Sequence, residues 1–106
     1  MSLVHVIAVL TAKPGFRGEM LAAFEDNVAN VLAEDGCIEY GAAIDTEGVG
    51  ALQTAFGPDT FVVVEKWQSL AHLKAHGATP HMIAFAAQIK DLMADRIIHV
   101  LSPHDG

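Results

Sequence analysis

The chain carries few basic residues and a single cysteine. Six lysines and arginines stand against thirteen acidic residues, giving a net charge of −7 at pH 7 with neutral histidines. Nucleic acids and anionic membrane surfaces attract clustered lysine and arginine, so this charge balance argues against both as partners. The lone Cys37 cannot form an intramolecular disulfide, which is typical of proteins in a reducing compartment. We therefore expect a cytoplasmic protein.

Long hydrophobic runs are also missing. The mostly apolar run Leu3–Leu10 is too short to cross a bilayer, which takes about 20 apolar residues, and no basic segment precedes it as in a secretory signal. We therefore expect no membrane association. With 106 residues, of which 52% are hydrophobic, the chain is expected to form one domain over residues 1–106 around a single modest core.

The first half of the chain has the pattern of a strand, a helix, a second strand and a loop. Leu3–Thr11 is apolar at odd and even positions alike, which indicates a strand. Phe16–Ala33 repeats its apolar residues with the helical period of about 3.6 residues. Cys37–Ile44 is predicted as a strand, and Thr46–Pro58, rich in glycine and turn formers, as a loop. One face of the second strand is expected to carry Ile38, Tyr40, Ala42 and Ile44.

A third strand and a short helix follow the loop. Phe61–Trp67 begins with β-branched and aromatic residues, which favour a strand. Its alternation places one set of side chains on a common face, namely Phe61, Val63, Glu65 and Trp67. Ser69 is a suitable N-cap for a helix over Leu70–His76, and Gly77 is expected to end that helix.

The last elements are a longer helix and a final strand. Thr79-Pro80 combines a capping hydroxyl with a proline at the first helical position, which predicts a helix over Pro80–Ala94. Its buried stripe would be Met82, Phe85, Ile89 and Met93. Arg96–Leu101 is predicted as the closing strand. The order β-α-β-β-α-β, with the second helical region broken in two, predicts an α+β, ferredoxin-like antiparallel sheet with its helices on one face.

The predicted strands have more apolar surface than the helices of this fold can cover. Leu3–Leu10, Phe61–Val64 and Ile97–Leu101 are apolar on both faces, whereas the helices of this topology cover only one. Each large aliphatic side chain gains about 1.5–3 kcal/mol on burial, so an uncovered face would be costly. A second copy of the sheet is the simplest cover, and we expect a homodimer packed through its sheet faces.

A recognisable pattern lies in the second half of the chain. Glu65-Lys66-Trp67, then His76, then Thr79-Pro80-His81 give the spacing E-x-W … H-x-x-T-P-H. Together with Gly15 and the run Asp35-Gly36-Cys37-x-x-Tyr40, this resembles the antibiotic biosynthesis monooxygenase family, and within it the quinol monooxygenases. The resemblance implies a dimeric α/β barrel with a pocket between sheet and helices. It also implies oxygenation of quinol-like aromatics by O2 without metal, flavin or haem.

The resemblance, together with the position of each residue, selects a set of site residues. His76 is the first candidate for a catalytic base. His81 is the second, since the start of a helix favours the neutral imidazole that can accept a proton. Trp67 joins them as a catalytic residue that would orient an aromatic ring and exclude water. The residues expected to line an apolar slot for a flat substrate are Glu65, Tyr40, Phe24, Met82 and Phe85.

Other interpretations stay open on sequence alone. The same barrel serves non-catalytic binding and stress-response dimers, because a fold does not determine a function. Haem-degrading relatives carry an asparagine on the first strand, whereas this chain has Ile7-Ala8-Val9 there, which weakens the haem interpretation. Relatives that act on phosphorylated sugars would need clustered cationic residues to bind the phosphate, and this chain has few. His72 and His76 share a helix face as zinc ligands would, but the glutamate of an H-E-x-x-H motif is missing between them. We therefore expect no metal site, and the family resemblance implies that His76 faces the cleft while His72 is solvated.

Overall fold

The ferredoxin-like arrangement predicted from the sequence is confirmed. The computed structural model describes residues 2–105, and these form an antiparallel sheet and three α-helices. A short 3-10 turn, Gly50–Leu52, lies in the loop before the third strand. The elements in chain order are β1 (Val4–Ala12), α1 (Arg17–Leu32), β2 (Cys37–Ala43), β3 (Thr60–Trp67), α2 (Leu70–Gly77), α3 (Pro80–Ile89) and β4 (Met93–Leu101).

The sheet has the strand order β2-β3-β1-β4, and every neighbouring pair is antiparallel. The register places Val6 on β1 opposite Glu65 on β3 and opposite Val100 on β4. The two central strands therefore form the middle of the sheet, and β4 forms an edge.

Alternation along the central strands separates a helix-facing side from an open side. On β3 the residues Phe61, Val63, Glu65 and Trp67 are buried, as predicted, while the residues between them are only partly buried. The helix-facing side packs against Met20, Phe24 and Val31 of α1 and against Phe85 and Ile89 of α3. The core therefore lies between the sheet and the helices.

The last helix and strand differ from the prediction. The helix ends at Ile89 rather than Ala94, and β4 begins at Met93 rather than Arg96. The Leu92 amide donates to the Ile89 carbonyl at 3.0 Å and closes a turn, after which Met93 pairs with Ala12 on β1. The spacing of Ile89 and Met93 is that of an apolar helical stripe. Met93 nevertheless joins the sheet, because pairing with β1 gives its backbone N–H and C=O groups hydrogen-bond partners.

Smaller differences occur at β2 and α2. The register of β2 shifts between Cys37 and Glu39, so Ile38 is exposed instead of sharing a buried face with Tyr40. Ile44 lies beyond the end of β2 and is also exposed. A bulge of this kind adds a residue to one strand and turns its side chain away from the alternating pattern. Gly77 is the last residue of α2 rather than the residue that follows it.

The side of the sheet away from the helices is apolar at its centre. We call it the open sheet face and define it by His5, Ile7 and Val9 of β1, Val62, Val64 and Lys66 of β3, and Ile97, His99 and Leu101 of β4. Ile97 and Leu101 are among the exposed large hydrophobic residues. Within residues 2–105, none of the helices has both the length and the apolar content that crossing a membrane requires.

Candidate active site

A cavity of about 320 Å³ lies between the sheet and the helices. This volume is at the small end of the pockets that bind small molecules, which start at roughly 300 Å³. Its sheet side is formed by residues of all four strands, namely Val6, Ala8, Leu10, Tyr40, Val63, Glu65, Met93, Arg96, Ile98 and Val100. Its helix side is formed mainly by Phe24, Leu73, His76, Met82, Phe85 and Ile89. The lining is therefore mostly apolar, and its titratable or charged residues are Tyr40, Glu65, His76 and Arg96.

Most of the residues that the sequence singled out meet in this cavity. The predicted site residues that line it are His76, Glu65, Tyr40, Phe24, Met82 and Phe85. Trp67 and His81 are not part of the lining. Trp67 is fully buried, and His81 lies on the side of His76 that is away from the cavity.

Aromatic rings give one wall of the cavity a defined shape. Phe24 stacks on Tyr40 with ring centroids 5.0 Å apart and an interplanar angle of 19°. Phe85 contacts the Phe24 ring edge to face at 6.2 Å. Such contacts fix ring orientation as well as burying area, so the wall is preorganised for a flat ligand.

Glu65 is a buried carboxyl group on the sheet side. The alternation of β3 turns it toward the helices, where the Trp67 Nε1–H donates to its Oε1 at 2.9 Å. Burial raises the pKa of Glu65 above its ordinary value, although the bond from Trp67 and the nearby His76 oppose this effect. Trp67, which does not line the cavity, therefore fixes the position of the Glu65 carboxyl group. Because its pKa is raised, this group has an increased tendency to be protonated.

Tyr40 lies opposite Glu65 on β2. Burial, with smaller contributions from the charges of Glu65 and Glu34, raises the pKa of its phenol above the ordinary value. The phenol therefore keeps its proton at neutral pH and is available as a hydrogen-bond donor.

His76 is held by an acidic residue that the sequence analysis did not select. The Glu34 carboxylate accepts from His76 Nδ1, with Oε1 at 3.0 Å and Oε2 at 2.9 Å. The same Oε2 lies 2.6 Å from His81 Nε2. The His76 ring also packs against Trp67, with centroids 4.6 Å apart, and against Tyr40 at 5.6 Å. One carboxylate thus joins both predicted histidines.

The segment Thr79-Pro80 positions the two histidines relative to each other. The Thr79 hydroxyl donates to the His76 carbonyl at 2.9 Å and accepts from the Met82 amide at 3.3 Å. It therefore ends α2 and caps α3 at the same time. Pro80 occupies the first helical position and His81 the next, so the turn carries His81 to Glu34.

A sequence signal for Glu34 did exist. The residue follows Ala33, the C-cap of α1, and its amide donates to the Val31 carbonyl at 2.9 Å. The C-terminal end of a helix is unfavourable for a carboxylate, because the helix dipole places partial negative charge there. A glutamate at this position therefore calls for a specific cationic or hydrogen-bonding partner. Its partners, His76 and His81, lie 42 and 47 residues further along the chain. A local sequence pattern therefore does not identify them.

His72 differs from the expectation that it is solvated. Its ring is only partly exposed, and its Nδ1 lies 2.7 Å from the Ser69 hydroxyl. It packs over Gly36, where an added Cβ would lie 2.3 Å from the ring atoms. Gly36 also has φ +83°, so glycine is required there on two grounds. His72 is outside the cavity and does not reach Glu34 within hydrogen-bonding distance in residues 2–105.

The chain was compared with known proteins. A family model described as antibiotic biosynthesis monooxygenase matches residues 3–88. YgiN of Escherichia coli strain K12, named probable quinol monooxygenase, is 36% identical over 103 residues, covering 95% of this chain and 98% of that protein. Among solved structures, Rv0793 from Mycobacterium tuberculosis has a TM-score of 0.80 at 27% identity and covers 99% of this chain and 98% of its own. PA3566 from Pseudomonas aeruginosa has a TM-score of 0.81 at 25% identity, with coverages of 97% and 95%.

Proposed function

Because the chain belongs to the antibiotic biosynthesis monooxygenase family, we propose that it oxidises quinol-like or polycyclic aromatic substrates with O2 and without a cofactor. The observation that carries the proposal is a mostly apolar cavity with the imidazole of His76 in its wall. The name of the YgiN relative, probable quinol monooxygenase, agrees with this substrate class. A non-catalytic dimer with a filled core would have no such cavity, which disfavours that alternative.

The first step is removal of a proton from the substrate. A quinol hydroxyl resembles a tyrosine phenol, whose pKa is about 10, so in neutral solution it stays protonated and reacts slowly with oxygen. His76 accepts this proton at Nε2, and the electron-rich quinolate then gives an electron to O2. General-base catalysis of this kind contributes about 10²–10⁴-fold.

The overall reaction balances without an external reductant. The quinol supplies all four electrons that O2 requires: two when a ring C–H becomes C–OH, and two when the quinol becomes a quinone. One oxygen atom enters the ring and the other leaves as water. The proton held by His76 returns to the reduced oxygen, so no net proton leaves the cavity.

The remaining site residues have supporting roles in this proposal. Phe24, Met82 and Phe85 hold the flat ring, and the protonated phenol of Tyr40 donates to a substrate oxygen. Glu65, with its raised pKa, contacts the substrate as a hydrogen-bonding group on the sheet side. Because Trp67 does not line the cavity, we assign it to holding Glu65 rather than to touching the substrate.

We also propose that two copies pair through the open sheet face. Its central apolar residues have no cover from the helices in the described part of the chain, and burial of such residues drives association. Pairing two four-stranded sheets in this way would give the dimeric barrel that the family resemblance implies. It would also shield the strands that carry the cavity from solvent.

The proposal is tested by oxygen consumption with a chemically reduced naphthoquinone in the presence of a chelator. The protein-free autoxidation rate is subtracted at each concentration. We expect a saturable excess rate, and His76→Ala should lower it at least tenfold while the near-UV circular dichroism is unchanged. His72→Ala is the matched control, one helical turn away and outside the cavity. No excess over autoxidation in the wild type would overturn the function, and full activity in His76→Ala would remove His76 as the base.

A further inference from the structure

We propose that Glu34 is a positioning residue for His76 and that His81 competes for the same carboxylate, so that the charge on His81 controls how readily His76 takes up the substrate proton. This inference rests on the proposed function, since it concerns the same base. It goes beyond that function by assigning a role to an acidic residue and to a histidine that do not touch the substrate.

The geometry is that of one carboxylate shared by two imidazoles. Glu34 Oε2 lies 2.9 Å from His76 Nδ1 and 2.6 Å from His81 Nε2. The exposed fractions of the three side chains rise outward, from 6% for His76 through 9% for Glu34 to 26% for His81. The arrangement therefore runs from the cavity wall toward solvent, with the carboxylate in the middle.

The contact with Glu34 fixes the tautomer of His76. A carboxylate accepts hydrogen bonds, so Nδ1 carries the proton and Nε2 carries the lone pair in the neutral ring. No hydrogen-bond partner of Nε2 is found within residues 2–105, and no fully buried side-chain nitrogen or oxygen in that range lacks a partner. Nε2 is therefore open to the cavity, where a substrate hydroxyl can donate to it.

Glu34 also stabilises the product of the proton transfer. When Nε2 takes the substrate proton, His76 becomes an imidazolium whose Nδ1–H still bonds to the carboxylate. A charge-assisted bond in a poorly hydrated site is stronger than the same bond in water. The imidazolium keeps this bond until Nε2 returns its proton to the reduced oxygen.

His81 opposes this stabilisation when it is charged. A single carboxylate cannot neutralise two imidazolium ions, and like charges near one site disfavour each other. His81 is the more exposed of the two rings, with 26% of its side chain accessible against 6% for His76. When it is protonated it uses the charge of Glu34, and His76 becomes a weaker base.

Other titratable or charged groups surround this cluster: Asp35 and His72 border the same surface pocket as Glu34, and Arg96 lines the cavity together with His76. Tyr40 on β2 and Glu65 on β3 face His76, and Cys37 on β2 lies close enough to Glu34 to sense its charge. The pKa values of the Tyr40 phenol and the Cys37 thiol are raised, so both stay neutral at and below pH 7. The pKa of Glu65 is also raised from a lower starting value, so Glu65 is the neighbour whose titration must be separated from that of His76.

The pH dependence of kcat/KM for oxygen uptake with the reduced naphthoquinone tests the inference. Glu34→Gln removes the counter-ion, so kcat/KM should fall about 10- to 100-fold, the expected cost of losing a hydrogen bond to a charged group. The midpoint of its acid limb should also move to lower pH. His81→Gln leaves the carboxylate to His76 alone, so the midpoint should move to higher pH. Loosened packing would not be expected to move the midpoint in opposite directions in Glu34→Gln and His81→Gln.

Matched variants separate these effects from their alternatives. His72→Gln removes a histidine outside the cluster and should leave the midpoint in place. Glu34→Gln and His81→Gln are also each combined with Glu65→Gln. The midpoint of the acid limb should still move in opposite directions in the two double variants. Displacements in the same direction, or displacements that vanish with Glu65→Gln, would overturn the inference.

A second measurement keeps the inference separate from the proposed function. Nitrogen-15 spectra of the histidine rings in the substrate-free protein should show the His76 proton on Nδ1, with the two tautomers mixed in Glu34→Gln. This result needs no activity, so it stands even if the naphthoquinol is not oxidised. A His76 ring that carries its neutral proton on Nε2 in the wild type would refute the role of Glu34.

Discussion

Replacing Ile97 by lysine should separate the dimer that we propose. Ile97 lies on the edge strand β4 within the open sheet face, where it is paired with Val9 on β1, which in turn pairs with Val62 on β3. These three residues form an apolar row across the strands. A lysine in this row would place an ammonium group, and in the dimer a second one from the partner, inside the interface.

The expected magnitude follows from the exposure of Ile97. Its exposed fraction is 48%, and complete burial of an isoleucine is worth about 1.5–3 kcal/mol, so about 0.7–1.5 kcal/mol remains to be gained in each subunit. Two copies give about 1.4–3 kcal/mol, which corresponds to roughly 10- to 150-fold in the dimer dissociation constant. Desolvation of the two ammonium groups adds to this loss unless their long side chains reach solvent.

Sedimentation equilibrium over a range of concentrations measures this constant directly. The control is Ile83→Lys, the same substitution at an isoleucine of α3 with 62% exposure, on a helix that packs on the opposite side of the sheet. It should leave the dissociation constant unchanged. A wild-type protein that is monomeric at tens of micromolar, or an Ile97→Lys variant that dimerises as tightly as the wild type, would refute pairing through the open sheet face.

Three further substitutions test how the site is held. Since burial raises the pKa of Glu65, the folded state holds its proton more tightly than the unfolded chain, and stability is lost as pH rises through the folded value. Glu65→Gln should therefore gain stability over the wild type as pH rises above the ordinary range of a carboxyl group, in urea unfolding at equal protein concentration. Thr79→Ala should lose about 0.5–2 kcal/mol of unfolding free energy through the missing cap, with Thr79→Ser close to wild type. Gly36→Ala should lose more than about 1 kcal/mol, and the double variant with His72→Ala should lose less than the sum of the singles.

The sequence was sufficient to predict the fold wherever local and long-range preferences agree. The alternation of β3 was predicted correctly, because one face of the strand is buried and a slip of one residue would expose all of its core residues. The end of α3 was not, because Ile89 and Met93 have helical spacing while the backbone at Met93 pairs with Ala12. That pairing depends on a strand about eighty residues earlier, which no local pattern contains.

The residues that line the candidate site could be predicted from the sequence, but the residues that hydrogen-bond to them from outside the cavity could not. Residues that line the cavity carry the periodicity of their own strand or helix, so Glu65 and Phe85 could be assigned to the cleft from spacing alone. Glu34 could not, because its role depends on the packing of α1 against α2 and α3. Trp67 was predicted to orient the substrate ring because of the family resemblance and its position on β3, whereas it is fully buried and donates to Glu65 outside the cavity lining.

Glu65 and His76 line the cavity, and each is hydrogen-bonded by a residue that does not line it. Trp67 donates to Glu65 on the sheet side, and Glu34 accepts from His76 on the helix side. These supports lie outside the cavity, so neither depends on the residues that shape the substrate slot. A change at Met82 would therefore alter which ring fits without changing the base, whereas a change at Glu34 would alter the base without changing the fit. In kinetic terms, lining variants should act mainly on KM and support variants on kcat and its pH dependence, a division that follows from the layered construction of the fold.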